Sequence, residues 1–133
     1  MYSSNNKNRN RNYQIKKSSI KDEIIDKQIL AIHQAMVNKV LATPSLVKQI
    51  TDTVEQRKEQ GKIGYGEYIT WISLLELVEN PTEFQQCVLE NSAKMKRLRR
   101  KTPFIGILTE EEREQALQHN SLGPTNNIDY LFS

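Results

Sequence analysis

The chain has 133 residues, 37% of them apolar, with a formal net charge of +3. That is the size of one domain with tails rather than of two cores. Its one cysteine, Cys87, excludes an intramolecular disulfide and any zinc site made of several cysteines, which fits a reducing compartment.

The chain opens on MYSSNNKNRNRNYQIKKSS, where only Tyr2, Tyr13 and Ile15 offer apolar surface besides the initial Met. Residues 1–18 therefore read as a basic, Asn-rich flexible tail that returns too little burial to offset its ordering entropy. Ser18 or Ser19 is placed to cap a helix, and Ile20, Ile24, Ile29, Ile32, Met36, Val37 and Val40 recur at three- and four-residue steps. The spacing predicts an amphipathic helix over 20–42. Thr43-Pro44 predicts a restart with threonine as cap and proline in the first turn. Leu46, Val47, Ile50 and Val54 stripe a second helix that ends near Gln60-Gly61.

After the turn GKIGYG comes the most hydrophobic segment, expected as the central helix. Tyr65, Tyr68, Ile69, Ile72, Leu75 and Val78 are its expected apolar side, broadened by Trp71 and Leu74. Asn80 with Glu83 has the spacing of a capping box. A fourth helix is expected through Phe84, Val88, Met95 and Leu98, although Asn91 interrupts the stripe. Thr102-Pro103 ends it, and Phe104–Leu108 reads as a loop or short extended run pinned to the core. Thr109 before three glutamates starts a short fifth helix, about 110–119. SLGPTNNIDYLFS then reads as a turn followed by an apolar strip, Ile128, Tyr130, Leu131 and Phe132. The fold class is accordingly all-α: a compact bundle of four main helices plus one short C-terminal helix. The organisation is a tail at 1–18, a helical domain at 19–119 and a C-terminal tail at 120–133.

Charge is divided sharply along this chain. Residues 94–101, KMKRLRRK, hold six cations and no acid, and residues 1–21 hold six more with none. All sixteen acids lie elsewhere, against only seven basic side chains. Concentrated positive charge attracts polyanions even at modest net charge. On a helix, Lys94, Arg97 and Lys101 share one side while Met95 and Leu98 turn inward, and Lys96, Arg99 and Arg100 widen the basic surface. Arg9, Arg11, Lys16 and Lys17 join them as candidate nucleic-acid contacts. The bland account is a solvated face whose cations oppose a helix dipole.

Other chemistry is thinly supported. GKIGYG lacks the phosphate-loop pattern, and neither His33 nor His119 has metal-ligand spacing. Cys87, close to Phe84 and Val88, reads as a half-buried structural thiol. Arg99–Pro103 matches a short basophilic phosphorylation pattern of a kind that chance supplies often. The third helix carries only acidic ionisable groups, a poor surface for a major groove, so phosphate contact is favoured over sequence reading.

The sequence thus points to a non-enzymatic accessory or regulatory protein with no cofactor or metal. It would contact DNA or RNA, mainly at phosphates, or a nucleoprotein assembly. The alternative is a protein–protein adaptor or helical assembly subunit. There Phe104, Ile105, Ile107, Leu108, Tyr130 and Phe132 dock a partner, and the basic face meets an acidic protein. A homo-oligomer is the third reading. No apolar run reaches the roughly eighteen residues of a membrane span, and none follows the basic N-terminus as in a secretory signal. Cytoplasmic residence is the expectation, with no membrane partner.

Overall fold

The computed structural model describes the backbone of residues 2–120 and the side chains of residues 20–120. Every regular element among the described residues is helical. They are α1 (Tyr2–Ala42), α2 (Leu46–Glu59), α3 (Tyr65–Glu76), α4 (Pro81–Val88), α5 (Ala93–Arg100) and α6 (Glu110–His119), with a 3₁₀ turn at Leu77–Glu79. Helix α1 begins at Tyr2 and not near residue 20, so its backbone runs through the expected tail at 1–18, whose side chains lie outside those described; the tail at 120–133 lies outside the described residues beyond Asn120.

The spine is α1, which packs against α4, α5 and α6. Ile29, Ile32, Met36, Val37 and Val40 form its buried stripe at helical spacing. That stripe starts later than its sequence pattern, because Ile20 and Ile24 are 67% and 54% exposed. The expectation that α3 is the central helix is corrected, and so is its orientation. Trp71, Leu74 and Leu75 are buried, whereas Tyr65 and Ile69 face outward. A helix apolar on most sides cannot announce which side its neighbours will cover.

Helix ends follow local chemistry in most places. Gly61 takes φ 71°, and the amides of Gly61 and Lys62 close on the carbonyls of Lys58 and Arg57. Those two bonds make a Schellman end, which favours glycine at the left-handed residue. Thr109 and Glu112 form a full capping box. Asn80 does not: its side chain donates to the Glu83 carboxylate at 3.1 Å instead of capping the backbone. Thr43-Pro44 forms a turn ahead of α2, whose first helical residue is Leu46.

The principal difference lies at 80–101. One expected helix is two, so the described residues form six α-helices instead of five. Ser92 starts α5 with its hydroxyl accepting from the Met95 amide at 3.1 Å. The buried Arg99 reaches back to donate to the carbonyls of Val88 and Glu90, at 2.9 and 3.0 Å. A cation therefore satisfies the last carbonyl of α4 and another two residues beyond the helix.

Candidate nucleic-acid interface

Helical phase divides the six cations of 94–101 into two groups. Met95 and Leu98 are buried against the core, and Arg99, four residues beyond Met95, turns inward with them at 2% exposure. Lys94, Arg97 and Lys101 are exposed, and Lys96 is half-buried. None of these four enters a salt bridge among the described residues.

Arg99 is a correction to the expected nucleic-acid contacts. Its guanidinium is held by two carbonyls inside the protein, and burial lowers its pKa, opposed by the carboxylates of Asp26 and Glu90. Arg100 is also committed internally. Its Nε donates to Asp26 Oδ1 at 2.9 Å, and its Nη2 lies 3.6 Å from Asp22 Oδ1 and 3.3 Å from the Asp22 carbonyl. Replacing either arginine therefore tests the fold before it tests binding.

The same contacts locate the surface. Asp22 immediately follows the acid-free stretch 1–21, so Arg100 fastens the end of α5 beside the point where that stretch enters the bundle. Lys21, at that junction, is exposed. The candidates Arg9, Arg11, Lys16 and Lys17 lie outside the described side chains. A third element arrives from α2. Arg57 donates to the carbonyls of Lys101 and Thr102 at 2.8 and 3.1 Å, closing the C-terminal end of α5 with a cation. Burial lowers the Arg57 pKa and Glu67 opposes that change. Arg57 carries no local sequence signal of this role, because its partners lie more than forty residues away.

Behind this end of α5, a buried polar chain sets the position of Thr102. The imidazole of His33 is fully buried; its Nδ1 lies 2.8 Å from the Ile29 carbonyl and its Nε2 2.9 Å from Thr102 Oγ1. Thr102 Oγ1 accepts from the Phe104 amide at 3.1 Å. Neutral imidazole with its proton on Nδ1 fits all three bonds: it donates to the Ile29 carbonyl and accepts from the Thr102 hydroxyl. Burial pushes the His33 pKa down to about 3, partly opposed by the Ile29 hydrogen bond and assisted by the charge of Arg99. Thr102 is 2% exposed, which closes it to a kinase in the folded state.

The expected docking run Phe104–Leu108 is mostly interior, a second correction. Phe104 is 1% and Ile107 3% exposed; Phe104 packs between His33 and Trp71, both with ring centroids at 5.9 Å. Leu108 packs against the core in part, and only Ile105, at 40%, faces outward. Gly106 at φ 75° makes the turn that lets residues on both sides of it reach inward. Tyr130 and Phe132 lie outside the described residues.

Among the described residues, no three metal-ligating side chains gather, no helix is long and apolar enough to cross a membrane, and Cys87 is half-buried. No family model matches the sequence, and comparisons with curated proteins and solved structures give no significant match.

Proposed function

We propose that the protein is a non-enzymatic accessory or regulatory protein that contacts nucleic acid, or a nucleoprotein assembly, through phosphates. The contacting groups are Lys94, Lys96, Arg97 and Lys101, with Lys21 and the basic residues before it extending the surface. One observation carries this reading: the outward cations of α5 have no described acidic partner, and Arg100 anchors their helix beside the other acid-free stretch. Arginine and lysine at this spacing suit a row of phosphates.

The test is fluorescence anisotropy with single- and double-stranded DNA and RNA across a salt series. If all four α5 cations meet duplex phosphates, log Kobs falls against log salt with a slope of about −3.6, or about 150-fold between 50 and 200 mM salt. Replacing Lys94, Arg97 and Lys101 with Gln removes about three-quarters of that part of the slope and leaves helicity unchanged. Unchanged affinity and slope in the triple variant, or no binding to any of these polymers at low salt, overturns the proposal.

A further inference from the structure

The outward side of α3 carries an aromatic side chain that core packing does not explain. Tyr65, in the first turn of that helix, is 70% exposed, more than any other large apolar side chain among the described residues. Its ring leans on that of Tyr68, with centroids 6.4 Å apart and planes at 38°. Tyr68 is fixed in turn, because its hydroxyl donates to Glu55 Oε1 on α2 at 2.7 Å. Ile69, one turn beyond Tyr65 on the same side, is exposed as well and extends the apolar patch. Tyr68 and Glu55 thus steady an aromatic face that solvent reaches.

Arg57 joins this face to the basic surface. Its backbone carbonyl accepts from the Lys62 amide at 2.9 Å, and its guanidinium donates to the carbonyls of Lys101 and Thr102. Lys62, in the turn before α3, and Lys101, at the end of α5, are therefore bonded to the two ends of one residue. Tyr65 follows Lys62 by three residues, so their Cα atoms lie at most about 11 Å apart. Lys62 and Lys101 are exposed and Lys58 is half-buried. None of these three lysines enters a salt bridge among the described residues. The acids of this region are Glu55, Glu59 and Glu67. Glu55 accepts from Tyr68, Glu67 buries its Oε2 and acts electrostatically on Arg57, and Glu59 is exposed. Arg57, Lys58, Lys62 and Lys101 outnumber them.

An aromatic face beside exposed cations discriminates between forms of nucleic acid. In a duplex the bases cover one another, so a tyrosine on a convex protein surface meets sugars and phosphates. An unpaired base has a free face to lay on the ring while neighbouring phosphates reach the lysines. Stacking accepts any base, which accords with a surface that holds phosphates rather than reading sequence.

We infer that the protein takes single-stranded nucleic acid, with Tyr65 stacking on an unpaired base while Lys62 and Lys101 hold phosphates of the same strand. This inference rests on the phosphate-binding reading above and narrows its ligand to an unpaired strand.

Fluorescence anisotropy on the full chain tests it, with a single strand and its duplex, each as DNA and as RNA, and an abasic DNA strand of equal length. Wild type should bind the abasic strand at least about fivefold more weakly than the natural one, the lower end of what one stacked base contributes. Tyr65→Ala should lose the same factor on the natural strand and nothing on the abasic strand, and Tyr65→Phe, which keeps the ring, should restore it. The salt slope should be equal in wild type and Tyr65→Ala, because no phosphate contact is lost, whereas Lys62→Gln should reduce its size by about 0.7 on a single strand. Circular dichroism should show Tyr65→Ala folded with an unchanged Tm, as expected at an exposed site. Equal affinity of wild type for the natural and abasic strands overturns the inference and needs no variant. So does single-strand binding that Tyr65→Ala leaves unchanged, or weakens no more than duplex binding; salt-sensitive binding that falls with the α5 cations would then still stand. Absence of binding to any of these polymers at low salt overturns both this inference and the reading beneath it.

Discussion

Arg97 and Arg99 stand two residues apart in one basic run, yet their environments predict opposite responses to the same substitution. Arg99→Met keeps most of the side-chain stem and removes the guanidinium from the carbonyls of Val88 and Glu90. Hydrogen bonds to a charged donor contribute about 1.5–3 kcal/mol each, and leaving a buried acceptor unsatisfied carries a penalty of about 1–3 kcal/mol. Glu90 is exposed, so its carbonyl can recover water, and the methionine regains some apolar burial. A net loss of about 2–3 kcal/mol follows, or roughly 10–20 °C in Tm for a domain of this size. Arg97→Met, on the exposed side, should stay within about 0.5 kcal/mol. Arg99→Lys retains the charge but not the planar fork, and should fall between them. Urea unfolding followed by circular dichroism at 222 nm measures all three. Equal midpoints for the Arg97 and Arg99 variants would refute the assignment of Arg99 to the α4–α5 junction.

Two further outcomes follow from other parts of the fold. Because His33 is held neutral down to about 3, the unfolded chain binds the extra proton between that value and its ordinary 6.5. Stability should therefore fall as pH drops through this window, by up to about 1.4 kcal/mol per pH unit. It should be fully present above the unfolded value. His33→Gln should lose that component, so wild-type and variant urea midpoints compared at pH 7.5 and 4.5 must diverge; parallel pH dependence contradicts the neutral buried imidazole. Thr109→Ala opens the capping box and should destabilise by about 1 kcal/mol, read as a lower Tm with no change in polyanion binding.

What the sequence disclosed was chiefly local. The bounds of α6, the Thr109 cap and the turn at Gly61 all depend on residues within one helical turn of each other, and each was legible, whereas the Asn80–Glu83 spacing suggested a capping box that does not form. The junction between α4 and α5 was not, because Phe84, Val88, Met95 and Leu98 keep a helix-compatible phase straight across it. The apolar pattern continues while the backbone turns; the break is held by Ser92 and by Arg99 folding back on Val88. The orientation of α3 was hidden for a related reason. Apolar residues surround most of that helix, and tertiary contacts such as that of Trp71 with Phe104, thirty-three residues later, accompany the choice of which of them the core takes. For the candidate site, the side shared by Lys94, Arg97 and Lys101 was readable from helical periodicity. The withdrawal of Arg99 and Arg100 required knowing that Val88, Asp22 and Asp26 would be nearby.

This withdrawal changes what a basic run means in a short helix. Carbonyls at and just beyond the ends of α4 and α5 need donors; the amides that follow supply some, and arginine side chains supply others. Arg99 serves the first end and Arg57 the second, while Arg100 balances two acids on α1. Dense positive charge is thus partly an architectural consequence of packing two eight-residue helices against a long one. Yet architecture accounts for only two of the six cations. Lys94, Lys96, Arg97 and Lys101 contribute no described bond through their side chains, and their charge is not needed to hold α5, which Met95, Leu98 and Arg99 already fix. The nucleic-acid reading rests on this remainder rather than on the whole run. It therefore requires that glutamines at Lys94, Arg97 and Lys101 remove about three-quarters of the α5 part of the salt slope at unchanged Tm, whereas a merely solvated face would leave both quantities where they were.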